Sequence, residues 1–564
     1  MNEYIINDEQ SAKEFQEYIQ ENSLELVKHK FINTKARLEM SDNNLYIVDK
    51  EFSNVATDVI NQRRLIYGKD DTSHIVNISV AENKVHIFRE IDGELTKEIR
   101  PYKDYVLSHS EANGAKRLKG NQHFKYIKEY DTHEQYEAIK RNIYKYGLFT
   151  IHHKPESYMV RNGLTYFKGM KPEEVSILSF DIETTGLNKD ADDAKVFLIT
   201  NCFRKNGKVE KKTFNVDDYK DDYEMIQNWT KWVIEKDPSI MIGHNIVMFD
   251  LPYLNKRTGG LVLGRDWSEM EIEERTREKR KDGGNSYSYN RINIFGREII
   301  DTFFLALDYD VKRKYESYGL KAIIKHECLD KKDRQHYDAS KIKENWNIPE
   351  EKKKIINYAE DDSDDSLKLF DLMIPATFYL SQYIPKTFQV MTESATGSKV
   401  NSFLIRGYLQ EDKSIPIGSK NIESIKGGIS FAVPGIYRNV MKTDLKSAYP
   451  SQILRFKLYD KKKDPEGLFY KMTEFFTLQR FGLKKKYQET KDKIHEDRDK
   501  AGKIFINSIY GTCTTNGLNF NSREIGARIT EETRKVIDMA LTWASGNGAE
   551  YWIEKFNKAT GKEK

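Results

Sequence analysis

The chain has 564 residues, of which 32% are charged, 38% hydrophobic and 12% aromatic, a balance that predicts a large protein of about three to five domains and excludes a disordered chain. No apolar run approaches the roughly 18 residues of a membrane span, and the polar start of the chain excludes a typical signal peptide. The net charge of +4, from 92 basic and 88 acidic residues, is too small to indicate a nucleic-acid partner by itself.

The cysteines predict a reducing compartment. Cys202, Cys328 and Cys513 are widely separated and show no metal-ligand spacing. We therefore expect the protein in the cytoplasm, or in the host cytoplasm if the source is viral, without association with a membrane.

The first 170 residues or so alternate short apolar runs, such as HIVNISV and KVHIFREI, with the turn-like segments SDNN and GKDD. This pattern predicts a mixed α/β domain with β content. Because no recognisable chemistry lies in it, we expect a structural or template-contacting role.

From Val175 the pattern changes to that of a βαβ-like layered domain. VSILSF, VFLIT and SIMIG are β-type runs. Between the last two, YEMIQNWTKWVIEKD predicts a helix whose apolar face is formed by Met225, Ile226, Trp229, Trp232 and Val233. The segment ERTREKRKDGGNSYSYN predicts an exposed hairpin or loop, whose basic residues suit either a solvated loop or a DNA contact.

Two carboxylates stand at the end of the first run of this domain. VSILSF leads directly into DIETTGL, so Asp181 and Glu183 are two residues apart at a strand end and their side chains point to the same side. Carboxylates held in this way repel each other unless cations join them. Taken alone, the pair suits a solvated loop better than a metal site.

Two further segments favour the metal site. IGHNIVMFDLPYL places Asn245 and Asp250 just after another apolar strand, with Asp250 at a helix start. KKKIINYAEDDSDDSLKLF predicts a helix with Tyr358 and Asp362 at i and i+4 on one face. Asp361 is the alternative acid in this segment, but only Asp362 keeps the four-residue spacing from Tyr358.

These three segments resemble the DIE, NxxxFD and YxxxD motifs of the DEDD-type proofreading exonuclease in its tyrosine variant, a domain with a ribonuclease H-like fold. The resemblance implies that the metal ligands are Asp181, Glu183, Asp250 and Asp362. Such carboxylates hold two Mg²⁺ ions, with Mn²⁺ as an alternative, which activate a water and stabilise the leaving 3′ oxygen. Tyr358 would orient that water, and Asp301 in GREIIDTFFLAL follows the family pattern as an architectural residue.

After Met373 the chain resembles the polymerase part of B-family DNA polymerases. ESIKGGISFAVPGIYRNV resembles the family's YxGG segment, although Ile425 stands where tyrosine is usual. Gly427 and Gly428 would let the backbone approach template phosphates, and a simple tight turn is an equally good interpretation.

The next segment, MKTDLKSAYPSQI, resembles the DxxSLYPSII motif of the same family, with Ala448 in place of the usual leucine. The resemblance makes Asp444 a ligand of both polymerase metals, assisted by the Leu445 carbonyl, and places Ser447 among the nucleotide-binding residues. Tyr449 would be a steric gate that rejects ribonucleotides by repulsion. The alternative for Tyr449 is an ordinary core aromatic.

Two helices are predicted for the fingers. Arg480 and Lys484 are i and i+4 in FFTLQRFGLKKKYQE, and Lys503, Asn507 and Tyr510 are i, i+4 and i+7 in DKAGKIFINSIYG. The second segment resembles the family's KxxxNSxYG motif. The resemblance implies that the three cations bind the phosphates of a nucleoside triphosphate, while Asn507 and Tyr510 face the base pair and sugar.

The charged segment KYQETKDKIHEDRDK between these helices is expected to form a solvated tip. We expect Gly511 to end the second helix, where the backbone turns or approaches the template strand. The short distance of about sixty residues between the two motifs leaves no room for a large insertion, so a nucleic-acid primer is expected.

The resemblance implies a multidomain α/β protein with an incomplete palm and two-helix fingers. Its expected divisions are an N-terminal domain (1–170), a 3′–5′ exonuclease domain (171–373), a first palm part (374–459), fingers (460–511) and a second palm part (512–564). A YxDTDS-like motif C and a thumb are not recognisable. We therefore expect the N-terminal part of a B-family polymerase of the tailed-phage replicative type, completed by a separate chain, with a truncated or intein-interrupted sequence as the rival explanation.

The expected partners are primer–template DNA, deoxynucleoside triphosphates, a second polypeptide that carries motif C and the thumb, and a sliding clamp. Two other function classes stay open. One is a stand-alone 3′–5′ exonuclease whose palm remnant only binds DNA, and the other is a non-catalytic DNA-binding or assembly module.

Overall fold

The computed structural model of the chain describes residues 63–280, 286–420, 423, 425–429, 435–436, 438 and 447–560, together with the backbone of three strands before residue 48. The strands are β1 (Asn2–Ile6), β2 (Ala36–Ser41), β3 (Asn44–Ile47), β4 (Ile75–Ala81), β5 (Lys84–Ile91), β6 (Glu94–Pro101), β7 (Asp104–Ser108), β8 (Lys116–Arg117), β9 (Tyr126–Tyr130), β10 (Ile177–Thr184), β11 (Val196–Lys205), β12 (Lys208–Asn215), β13 (Ile240–Gly243), β14 (Glu271–Arg280), β15 (Ser286–Asn293) and β16 (Glu298–Asp301).

The helices are α1 (His133–Lys140), α2 (Lys154–Asn162), α3 (Asp222–Lys236), α4 (Asp250–Thr258), α5 (Thr302–Tyr309), α6 (Leu320–His326), α7 (Ile342–Asn345), α8 (Pro349–Met373), α9 (Pro375–Ser381), α10 (Phe388–Glu393), α11 (Thr396–Leu409), α12 (Ala448–Phe456), α13 (Leu468–Thr490), α14 (Lys493–Asn507), α15 (Ile509–Thr514), α16 (Arg523–Ser545) and α17 (Ala549–Thr560). Short 3₁₀ turns occur at Pro172–Glu174, Val216–Asp218 and Ala339–Lys341. Among the helices described, none combines the length and the apolar character that crossing a membrane requires.

The central layer is a five-stranded mixed sheet in the order β12-β11-β10-β13-β16. β10 pairs antiparallel with β11 and parallel with β13, and β16 runs parallel to β13. The three β-type runs predicted from the sequence are confirmed as β10, β11 and β13. These strands are almost continuously buried, since helices cover both faces of the sheet.

Helix α3 covers one face of the sheet. Trp229 is fully buried there, with its ring 5.4 Å from the Phe180 ring and its indole N–H donating to Asn201 Oδ1 at 2.8 Å. The predicted apolar face of this helix is confirmed for four of its residues, whereas Trp232 is only partly buried. The fully buried ones are Met225, Ile226, Trp229 and Val233.

Helix α8 lies on the opposite face. The Ser179 hydroxyl donates to the Ser363 carbonyl at 2.6 Å and so ties β10 to this helix. Because side chains alternate along a strand, Asp181 and Glu183 share the face of Ser179 and point toward α8. The position of the acidic pair thus follows from the alternation of β10 and from the packing of α8 on it.

The regions beside this layer agree with their predicted character. Residues 63–170 combine two antiparallel sheets, β4-β5-β6 and β7-β9-β8, with α1 and α2, as expected of a mixed α/β region. The predicted hairpin is confirmed, since β14 and β15 pair antiparallel, but it is only partly exposed, because Lys279 and Tyr289 are buried.

The fingers segment forms two long helices, as predicted, but differs in two details. α13 ends at Thr490 and α14 begins at Lys493, so most of the expected tip is helical. Asp492 caps α14, accepting from the Ile494 N–H at 3.0 Å. The expectation that Gly511 ends the second helix is wrong: α14 stops at Asn507, where Ser508 interrupts the helix, and Gly511 lies inside the next helix, α15.

Candidate metal centre

The structure brings three of the predicted ligands into one cluster. Carboxylate oxygens of Asp181, Glu183 and Asp362 all lie within 4.8 Å of one another. The first two leave the end of β10, and Asp362 faces them from the middle of α8. Residues separated by about 180 positions in sequence therefore form one site, because the strand and the helix pack face to face.

The fourth predicted ligand, Asp250, lies beside the cluster. It begins α4, as expected from the sequence, and it is 3% exposed. Its Oδ1 accepts a hydrogen bond at 3.2 Å from the backbone N–H of Ile182, which stands between the two acids of β10. The Asp250 carboxylate thus contacts the main chain of β10 between Asp181 and Glu183.

Burial raises the pKa values of all four acids, and repulsion from neighbouring carboxylates adds to it. The pKa of Asp181 lies well above its ordinary value because of burial and then the charges of Asp250, Glu183 and Asp362. Burial raises the pKa of Glu183 to about 8, with repulsion from Asp362 next. Burial, followed by the charge of Asp301, raises the pKa of Asp250 to about 7, and burial also raises the pKa of Asp362. The positive charges of Lys321 and Arg334 oppose this shift at Asp362 without cancelling it.

The donor set fits hard divalent cations. Carboxylate oxygens are the ligands that Mg²⁺ and Mn²⁺ prefer, and a bound cation reverses the local cost of ionising neighbouring acids. The pKa values of Asp181 and Glu183 are raised because these acids are buried close to other carboxylates, and a bound divalent cation would lower them. Asp181, Glu183, Asp250 and Asp362 are therefore the residues that could hold metal.

The structure separates the two candidate acids of α8. Asp361 is turned to Lys331, whose Nζ lies 3.1 Å from Asp361 Oδ1, and it accepts the Gln335 N–H at 3.1 Å. Asp362 instead belongs to the cluster. The four-residue spacing from Tyr358 therefore selected the acid that the structure places in the site.

Tyr358 lies one turn before Asp362 on α8 and is buried. Its hydroxyl accepts a hydrogen bond from Lys321 Nζ, an atom that also lies 3.9 Å from the centre of the tyrosine ring and 3.6 Å from Asp362 Oδ2. Lys321 therefore connects the tyrosine to the acidic cluster. The sequence motifs did not point to this lysine, which stands in α6.

A second cation, Arg334, was also missed. It lies in the loop between α6 and α7, and its side chain is 3% exposed. Its Nη2 donates to Asp362 Oδ1 at 2.5 Å and its Nε donates to Asp365 Oδ2 at 2.7 Å. The one signal that could have suggested such cations is the need of four buried acids for nearby positive charge.

Asp301 holds the turn that leads to Asp250. Its Oδ1 accepts the N–H groups of Asn245 and Phe303 at 2.8 and 2.9 Å, and its Oδ2 accepts that of Val247 at 3.1 Å. Asn245 has a φ of +73°, a conformation that asparagine tolerates better than most residues. Asp301 and Asn245 together fix the path from β13 into α4.

The predicted polymerase residues are only partly described. Asp444 and Leu445 lie outside the described residues. Tyr449 and Tyr510 come together, with ring centres 4.9 Å apart, and the Tyr449 hydroxyl is 3.4 Å from the point that a Cβ on Gly428 would occupy. Three residues predicted from distant segments thus lie at one place.

The predicted nucleotide-binding residues of the fingers helices differ in their exposure to solvent. Lys484, Lys503 and Asn507 are exposed, whereas Arg480 is buried, with its Nε 2.8 Å from Asp499 Oδ1. A guanidinium nitrogen of Arg480 also lies 3.4 Å from the Ser447 hydroxyl. The predicted phosphate-binding arginine is therefore held by an acid of the neighbouring helix.

Gly427 and Gly511, two other predicted DNA-contact residues, differ in their surroundings. The Gly427 carbonyl accepts a hydrogen bond from Arg534 Nη1 at 2.7 Å, which ties this segment to α16. A Cβ added at Gly511 would meet nothing within 4 Å among the described residues, so these residues give no steric reason for glycine at position 511.

Comparisons with known proteins agree with the motif resemblance. Residues 167–323 match the family described as DNA polymerase family B, exonuclease domain, a stretch that contains Asp181, Glu183 and Asp250 but ends before Tyr358 and Asp362.

Curated relatives and a solved structure extend this similarity. The DNA polymerase of Desulfurococcus sp. (strain Tok) is 25% identical over 427 residues, covering 68% of this chain and 52% of the relative. DNA polymerase 1 of Pyrococcus abyssi is 25% identical over 434 residues, covering 69% and 54%. The chain therefore spans about half the length of the curated relatives it matches.

The structure of the family B DNA polymerase from the hyperthermophilic archaeon Pyrobaculum calidifontis has a TM-score of 0.65 and 17% identity, covering 83% of this chain and 71% of that one. At that identity the match shows a shared mixed α/β fold. The predicted resemblance to B-family DNA polymerases is confirmed by these matches, while the tailed-phage type stays a prediction.

Proposed function

We propose that this chain is a 3′–5′ proofreading exonuclease joined to the first part of a template-directed DNA polymerase. The observation that carries the proposal is the convergence of Asp181, Glu183 and Asp362, with Asp250 beside them, in and next to the segment that matches the exonuclease family. The substrate of this centre is the 3′ end of a DNA strand.

The four acids would hold two divalent ions, Mg²⁺ or Mn²⁺. When bound, such ions supply an activated water and stabilise the leaving 3′ oxygen of the phosphodiester. Tyr358 accepts a hydrogen bond from Lys321, so its own hydroxyl proton remains free to donate to the attacking water or to a phosphate oxygen. The ammonium group of Lys321, 3.6 Å from Asp362 Oδ2, offsets negative charge that develops on the phosphate.

The proposed domain divisions are those of the sequence: N-terminal domain to 170, ribonuclease H-like exonuclease domain to 373, then palm and fingers. The mixed sheet with its acid-bearing middle strand supports the second assignment. For residues 1–170 we retain a structural or template-contacting role.

The polymerase part of the proposal assigns Asp444 as a metal ligand, Tyr449 as the sugar gate, and Lys484, Lys503 and Arg480 as the phosphate-binding face. The closeness of Tyr449 to Tyr510 supports it. A second metal-binding acid is needed, and no YxDTDS-like segment stands in these 564 residues. The proposal keeps a second polypeptide, carrying such an acid, as a partner of the polymerase part.

The test is degradation of a 5′-labelled primer, with and without template, in Mg²⁺. We expect the chain to shorten the strand from its 3′ end, and Asp362→Asn to reduce the rate at least 100-fold. Asp361→Asn is the matched control, since this neighbouring acid lies outside the cluster, and it should keep the parent rate. Equal rates for both variants contradict the assignment.

A second measurement separates the two enzymatic activities. Primer extension is followed for the chain alone and with a candidate polypeptide that carries the remaining palm and thumb. Extension only with that polypeptide supports the completed polymerase. Degradation without extension under either condition favours a stand-alone exonuclease whose palm part only binds DNA.

A further inference from the structure

One arginine, Arg334, contacts the acidic cluster from the loop between α6 and α7. Arg334 donates through Nη2 to Asp362 at 2.5 Å and through Nε to Asp365 at 2.7 Å. The two acids stand three residues apart on α8, so one guanidinium spans a single turn of the helix. All three side chains are less than a tenth exposed.

The two carboxylate oxygens of Asp362 have different partners. Oδ1 is bonded to Arg334, and Oδ2 lies 3.6 Å from Lys321 Nζ. Asp365 does not belong to the cluster; it is anchored independently by Lys368, whose Nζ is 2.9 Å from Asp365 Oδ1. Asp365 therefore serves as a fixed point against which Arg334 can orient Asp362.

A lysine of the same loop, Lys331, binds two other acids of α8 and can be compared with Arg334. Lys331, three residues before Arg334, contacts Asp361 and Asp364 at 3.1 and 2.9 Å. Lys331 is 38% exposed, and neither of its acids is in the cluster. The two cations thus come from one loop and bind one helix, but only Arg334 touches a cluster acid.

We propose that Arg334 is a positioning residue of the metal centre: it holds the Asp362 carboxylate in the orientation in which it would bind a divalent ion. The proposal rests on the proposed function of the site. Guanidinium suits this role because its planar fork bonds two carboxylates at fixed angles and keeps its charge at all relevant pH values. Lysine at this position would keep the charge but could not hold both acids in the same way.

The experiment measures metal binding to the full chain in the absence of DNA. Thermal unfolding is recorded against Mn²⁺ concentration for the parent, Arg334→Gln, Arg334→Lys and the control Lys331→Gln. We expect the Mn²⁺ midpoint of Arg334→Gln to rise about 10- to 100-fold, the usual effect of removing a group that orients a ligand. The Mn²⁺ midpoint of Arg334→Lys should lie between those of the parent and Arg334→Gln. The midpoint of Lys331→Gln should stay within about twofold of the parent's.

Primer degradation by the same proteins gives a second readout. In Arg334→Gln the Mg²⁺ concentration for half-maximal rate should rise with the midpoint, and saturating metal should restore much of the rate. A structural role alone would lower the metal-free unfolding temperature and leave the midpoint unchanged. An Arg334→Gln midpoint within twofold of the parent's overturns the proposal.

If Arg334→Gln does not fold, Asp365→Asn decides. This variant keeps the arginine and removes its fixed point, and a raised midpoint supports the proposal, whereas an unchanged one overturns it. A parent that shows no Mn²⁺-dependent shift also overturns it. If the parent binds Mn²⁺ but degrades no DNA, the proposed function fails, while the midpoints still decide the role of Arg334.

Discussion

Proton competition at the acidic cluster should make metal binding steeply dependent on pH. Divalent ions bind ionised carboxylates, so protons held by Glu183, with a pKa of about 8, and Asp250, with a pKa of about 7, must leave first. Between pH 6 and 8 the ionised fraction of the first rises about 50-fold and that of the second about tenfold. We expect the apparent Mg²⁺ affinity to rise on the order of 100- to 1000-fold.

The same shifts predict the stability of the metal-free protein. Both acids have a folded-state pKa above the unfolded value, so the unfolded chain loses protons first as the pH rises. The free energy of unfolding should therefore fall between about pH 4 and pH 8. Glu183→Gln stays neutral throughout this window, and at pH 8 we expect it to be more stable than the metal-free parent by about 2–4 kcal/mol.

Isothermal titration with Mg²⁺ or Mn²⁺ at pH 6, 7 and 8, in two buffers of different ionisation enthalpy, measures both affinity and proton release. About one to two protons should be released per site at pH 7, and fewer at pH 8. Equal affinity at pH 6 and 8 without proton release would refute the reasoning, as would a Glu183→Gln variant less stable than the parent at pH 8.

Three further substitutions test other contacts. Tyr358→Phe removes the hydroxyl that Lys321 contacts and should slow primer degradation about 10- to 100-fold; an unchanged rate would contradict its role. Asp499→Asn leaves the buried Arg480 without its counter-charge and should lower the free energy of unfolding by about 1–3 kcal/mol in urea while the exonuclease rate stays constant. Trp229→Phe loses a buried hydrogen bond and leaves a cavity, so thermal unfolding should show a loss of about 2–4 kcal/mol; a loss under 0.5 kcal/mol would contradict this packing.

Much of the exonuclease site could be predicted from local patterns. The two-residue spacing of Asp181 and Glu183 and the four-residue spacing of Tyr358 and Asp362 each follow from the geometry of one element, and the structure has the acids within 4.8 Å. The fingers were predictable in outline but not in detail. The interruption at Ser508 was missed, because the apolar periodicity of the segment continues through it.

Sequence alone determined the elements, the faces of their acids and the resemblance to B-family DNA polymerases, because strand alternation and helical periodicity are local steric properties. Only the tertiary structure decided which cations meet those acids. Lys321 and Arg334 carry no motif and stand 28 to 41 residues from Asp362 in the chain, so their contacts depend on how α6 and the loop after it pack on α8. The tertiary structure also decided that Arg480 pairs with Asp499. Contacts between separate helices depend on how the helices pack, not on the sequence pattern of either helix.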